Sequence, residues 1–182
     1  MSAHSPTAVL QFWFNELSAQ QWFAKSDALD ALIHDKFATT LIAASRGELW
    51  HWRKNAEGRL AEIIVLDQFS RNIYRDTPQA FTQDVVALVL AQEAVALGLD
   101  QQLNDAEKAF LYMPYMHSES PEIHEQAVQL FNQPGLEINY DYELKHKAII
   151  DRFGRYPHRN AILGRVSTRE EVEFLKQPGS SF

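Results

Sequence analysis

The chain repeats one pattern that leaves little room for a sheet: a hydroxyl-proline helix start, then apolar residues at helical spacing. Ser5-Pro6, Thr77-Pro78 and Ser120-Pro121 each place a hydroxyl cap before a proline at the first helical position, where the missing N–H costs nothing. Leu10, Trp13, Phe14 and Leu17 follow the first start at i, i+3, i+4 and i+7, one apolar stripe. Leu29, Leu32, Ile33, Phe37 and Leu41 repeat the stripe in a second helix that closes near Gly47. Leu60 to Arg75 is apolar almost all round and reads as a central, buried helix. Phe81, Val85, Leu88 and Val95 mark a long fourth helix that Gly98 ends.

Asn104 with Glu107 caps a fifth helix, which Pro114 must end or kink. Ile123, Ala127, Leu130 and Phe131 give a sixth, stopped by Pro134-Gly135. Tyr142, His146, Ile149, Ile150 and Phe153 give a seventh, stopped by Gly154, and Thr168 with Glu171 caps a short eighth. Leu49–Trp52 and Leu136–Ile138 are the candidate strands, and both are too short to build a sheet. The expectation is an all-α fold of about eight helices in antiparallel pairs, in one domain over residues 1–182.

Composition excludes several functions. With 182 residues and 46% apolar content, the chain can bury a full core without staples. It has no cysteine, so disulfides, thiolate metal sites and thiol nucleophiles are all ruled out. A net charge of −7 argues against broad binding to nucleic acid or an anionic membrane, both of which need a basic face. Val85–Ala91, the longest apolar run, is far too short to span a bilayer, and the start lacks the pattern of a signal peptide, so a cytoplasmic location is expected.

Against that acidic background, Phe153–Arg165 is a cationic island holding Arg155, His158, Arg159 and Arg165 with no carboxylate. Guanidinium forks serve bidentate recognition of oxyanions or carboxylates, so the loop is either an anion site or an ion-pair clamp. A second segment, Leu66–Arg75, puts Asp67, Arg71 and Arg75 at i, i+4 and i+8 on one helical stripe, with Asn72 beside Arg71 as Asn160 is beside Arg159. These two Arg-Asn pairs suggest that Arg71 and Arg159 serve one anion cavity.

A third segment, Tyr112–Glu119, leaves the helix after Pro114 and carries His117, Ser118 and Glu119 on a turn. His117, His158 and Glu119 are the candidate proton carriers. His146 falls on the apolar face of the seventh helix, and Asp151 on that helix is expected to pair with Arg152 or Arg155. His124-Glu125-Gln126-Ala127-Val128 misses a zinc helix motif because valine stands where the second ligand must be. Neither a metal nor a cofactor is expected.

Together with Val9–Phe14 and Trp22-Phe23, these segments resemble an uncharacterised bacterial family catalogued as domain of unknown function 924. The resemblance runs from near Val9 to near Leu175 and implies a helical fold similar to tetratricopeptide-repeat domains, with no activity attached. Two functional readings follow. In one, Asp67, Arg71, Asn72, Arg75, His146, Arg155, Arg159, Asn160 and Arg165 line a pocket for a small anionic molecule, in an enzyme or a binding protein. In the other, helix pairs form a scaffold for a peptide or protein partner and the arginines are structural.

Overall fold

Capping chemistry decides where the helices begin. In the computed structural model, which describes residues 4–181, Ser5 accepts a hydrogen bond from Ala8 N (3.2 Å) and opens α1 (Pro6–Gln11). Ser18 and Gln21 form a reciprocal capping box on α2 (Ala19–Phe23), and Ser26 caps α3 (Asp27–Ser45). Asn55 caps α4 (Ala56–Ile64), which runs on through a wide turn into α5 (Ser70–Ile73). Thr77-Pro78 opens only a 3₁₀ turn over Pro78–Phe81, so α6 starts later, at Asp84, and ends at Ala96.

Asn104 and Glu107 cap α7 (Asp105–Met116) reciprocally, at 3.0 and 3.1 Å. Pro114 lies inside that helix, which ends two residues later, so His117 does fall on the turn beyond it. Then come α8 (Pro121–Phe131), α9 (Glu137–Phe153) and α10 (Arg169–Phe174), the last with a Thr168–Glu171 capping box. The described residues contain no strand: Trp50–Trp52 is a 3₁₀ turn and Leu136 is the cap of α9. The fold is all-α.

The chain forms two compact units, Met1–Arg75 with Gln79–Pro114 and Asp76–Pro78 with Tyr115–Phe182. In the first unit α1 and α6 pack on α4, and α3 packs on α5 and the wide turn before it. Phe12, Phe37 and Phe69 interlock at its centre, with Phe37 and Phe69 centroids 4.8 Å apart. Two π-helical turns shape this core, Phe12–Glu16 and Val65–Phe69. Leu17 N reaches back to Phe12 O (3.2 Å), an i→i+5 bond. The extra residue rotates the buried face, so Val9, Phe12, Trp13 and Leu17 are buried while Leu10 and Phe14 are only half-buried.

Gly58 permits another close approach. A Cβ on it would stand 1.9 Å from the carbonyl oxygen of Trp52, so the Trp50–Trp52 turn lies flush on α4. The second unit is built on the hairpin of α8 and α9. Ile149, Ile150 and Tyr156 form its core, with Phe153 and Phe174 packed against them.

Three further apolar stripes differ from the expected registers. Leu32 on α3 is 45% exposed, since the turn of the helix that meets the core is filled by Leu29, Ile33 and Phe37. On α6 the buried face is Ala87, Leu90, Ala91 and Ala94, while Val85 is 72% exposed. On α9 Tyr142 is exposed and its neighbour Glu143 is buried in its place.

Candidate functional site

In the first unit the Arg71 segment is tied up by carboxylates. Arg71 donates to the main-chain and side-chain oxygens of Asp67 (2.8 and 3.1 Å) and makes a two-pronged pair with Asp84 (2.8 and 3.0 Å). Asp67 is buried on the π turn and also accepts from Gln68 (2.6 Å). Arg75 grips both oxygens of Asp30, and Asn72 donates to the same carboxylate (2.8 Å). Burial works against ionisation of Asp30, but the hydrogen bonds from Arg75 and Asn72 outweigh it and hold its carboxyl below the usual range.

In the second unit two of the polar segments are laced together residue by residue. Tyr156 donates its hydroxyl to Met116 O, Arg159 donates to His117 O (3.1 Å), and His124 Nε2 donates to Ser118 O (2.9 Å). Glu119 then accepts two bonds from Arg165 (2.7 and 2.9 Å) and one from Tyr156 N (2.7 Å). Burial opposes the charge on Glu119, yet Arg165 and the Tyr156 N–H prevail and lower its pKa. Four consecutive residues, 116 to 119, are thus each held by a side chain or an amide from α8 or the cationic loop.

Arg155 and Arg165 are the clamps of that loop. Arg155 makes a bidentate pair with buried Glu171 (2.7 and 2.8 Å) and also reaches Val166 O. Hydrogen bonding from Arg155 pulls the Glu171 carboxyl down to about 2. Asn160, buried, accepts from Arg165 (2.9 Å) and donates to Ser167 (3.0 Å). The pairing expected for Asp151 is corrected: it accepts from Lys147, one helical turn away, while Arg152 pairs with Glu170.

The rest of the candidate residues in this unit gather on one ring. Tyr156 is fully buried, with the imidazoles of His146, His158 and His124 at centroid distances of 5.7, 5.5 and 6.3 Å. The Arg159 guanidinium lies over the same ring at 4.6 Å, a cation–π distance, and its grip on His117 O brings in a fourth histidine. His146 donates Nδ1–H to Tyr142 O (2.7 Å), which leaves the lone pair of the neutral ring on Nε2. Burial pushes its pKa down to about 3, aided by the nearness of His117, His124 and His158.

His124 and Glu143 are the functional candidates that sequence reasoning missed. Both side chains are fully buried, Nδ1 to Oε1 is 2.6 Å, and burial raises the Glu143 carboxyl. Because His124 Nε2 donates to Ser118 O, its Nδ1 and the carboxyl share one proton. Glu143 Oε2 is buried with no hydrogen-bond partner among the described residues, which favours the uncharged carboxyl. The one local signal was that both residues fall on the inner faces of a helical hairpin.

Arg71, Arg75, Asn72 and Asp67 therefore sit in the first unit, and His117, Glu119, His146, Arg155, His158, Arg159, Asn160 and Arg165 in the second. Among the described residues no group of three or more metal-ligating side chains could hold an ion. No helix among them is long and apolar enough to cross a membrane.

Fold and site together define an all-α protein in which a buried tyrosine carries a ring of imidazoles between two interlaced loops. The chain belongs to the family described as bacterial protein of unknown function, domain of unknown function 924, which it matches over residues 9–179. It is similar to a solved structure of a protein of unknown function from Agrobacterium tumefaciens, with 37% identity and a TM-score of 0.89. The similarity covers 94% of this chain and 96% of that one. No curated protein matches the chain.

Proposed function

We propose that the second unit binds a small anionic molecule at the cluster around Tyr156, with Arg159 as its principal cation. The observation that carries the reading is the convergence of three imidazoles and a guanidinium on one buried phenol ring. Packing alone does not call for so many nitrogen groups in one place, and burial strengthens any charge they meet. His117 and His158, both half-buried, are the proton carriers if the ligand also reacts, and His146 supplies a neutral acceptor. Arg155 and Arg165 hold the loop in place through Glu171 and Glu119.

A thermal-shift panel of phosphate, sulfate and dicarboxylates tests the reading. Binding to the folded state raises the melting temperature of the wild type, and Arg159→Ala abolishes the rise. Arg155→Ala lowers the baseline yet keeps the rise, because its fork is spent on Glu171. Flat wild-type melting across the panel would sink the proposal.

A second reading, a scaffold for a protein partner, is favoured by the outward apolar residues of α6, where Val85 is 72% and Val89 55% exposed. A partner held there would be lost on Val89→Asp with the anion response intact.

A further inference from the structure

A different basic site lies in the first unit. A groove of about 440 Å³, within the range of small-molecule sites, is lined by His4, Ser5, Pro6, His51, Trp52, Lys54 and Asn55. Its described lining contains no carboxylate, although the chain as a whole is at −7. Two imidazoles and an ammonium are therefore collected where the overall charge would not gather them. We propose that this groove binds the phosphate group of a small organic phosphate monoester.

The walls are built and held. His4 N donates to buried Thr40 Oγ1 (3.0 Å), and its ring packs on Phe37 at 4.9 Å, which pins the start of the chain leading into α1. The opposite wall is the Trp50–Asn55 corner. Trp52 is buried against α4 where Gly58 gives it room, Asn55 accepts from Gly58 N (2.9 Å), and Arg53 between them is anchored on fully buried Glu62 (2.6 and 2.7 Å). The corner cannot drift without breaking that pair. His51 packs edge-on against Trp50 and Trp52, at 6.0 and 6.5 Å.

The donor set selects the ligand. His4, His51 and Lys54 supply N–H donors from three separate side chains, with the Ser5 hydroxyl and Asn55 amide beside them. A phosphate monoester presents three terminal oxygens to such a set, where a carboxylate presents two and leaves a donor unmatched. Pro6 and Trp52 are the apolar residues of the lining, on the side left for the organic part. The groove is distinct from the cluster around Tyr156, so each stands or falls alone.

Histidine ring resonances in NMR, followed during titration with phenyl phosphate and inorganic phosphate, decide the matter. The expected result is saturable shifts at His4 and His51, with His34 unmoved as an exposed control that sits beside Asp35. Phenyl phosphate binds more tightly than inorganic phosphate because of the apolar wall. Lys54→Ala weakens binding roughly ten-fold, the loss of one charge-assisted hydrogen bond. Lys54 is exposed, and unchanged melting of the free variant keeps the comparison valid. Shifts of equal size at His34, no saturation, or unchanged affinity in Lys54→Ala would overturn the proposal. So would saturation at His117 and His158 alone, which supports the second-unit site and leaves this groove empty.

Discussion

His124 shows how one side chain can organise a loop. It bridges Glu143 on α9 to the carbonyl of Ser118, and its Nε2 lies 3.2 Å from the Tyr156 hydroxyl. Replacing it with alanine strands a buried carboxyl and a carbonyl and leaves a cavity under the turn. His124→Ala is expected to lower unfolding stability by about 3 kcal/mol in urea titration. Glu143→Gln keeps the shape and a hydrogen-bonding partner for Nδ1, so its cost should stay within about 1.5 kcal/mol. Equal losses in the two variants would mean that the proton they share, and not the hydrogen bond, holds the turn. Sequence reasoning weighed His124 only as a failed zinc motif, because its true partner lies 19 residues away.

At the scale of an element, α6 reverses an intuition about size. Its valines look like a core stripe, yet its alanines face α4, because the closeness of two helices leaves space only for small side chains. Enlarging the buried side forces neighbours off their rotamers. Ala91→Leu should therefore destabilise by about 1–3 kcal/mol, while Val89→Asp on the outer side should stay within about 0.5 kcal/mol of wild type. Denaturant midpoints of the two variants check this directly. A costly Val89→Asp together with a neutral Ala91→Leu would invert the assigned faces.

For the whole molecule, acid sensitivity follows from two buried groups of the second unit. His146 has a folded pKa of about 3 against 6.5 unfolded, so below pH 6.5 the unfolded chain gains a proton that the native state refuses. The stability it contributes is complete above pH 6.5 and is lost as pH falls towards about 3, by at most ~1.4 kcal/mol per pH unit. Glu171 adds a later loss, from 4.5 down to about 2, because Arg155 holds its carboxylate charged. Urea titrations of wild type and His146→Gln between pH 7 and pH 5 isolate the first effect, since Glu171 is ionised in both states across most of that range. The variant should show the shallower slope, and parallel slopes would mean that His146 is charged in the native state.

The helical class, most helix starts and the punctuation by Gly98 and Gly154 were legible because capping and periodicity act between residues three or four apart. So were the segments richest in nitrogen groups, since composition marks them without any partner. Registers were legible only in part: a single i→i+5 turn rotates the buried face, and whether valine or alanine faces inward depends on how near the next helix comes. Among the arginines' partners only Asp67, one helical turn before Arg71, was legible. Arg165 finds Glu119 across 46 positions and Arg75 finds Asp30 across 45, distances over which sequence carries no geometric signal. Arg159 lies over the Tyr156 ring, donates to His117 O and helps to lower the Glu119 pKa, while Arg155, four residues earlier, grips Glu171, and only the packing of α8, α9 and the loops decided these placements.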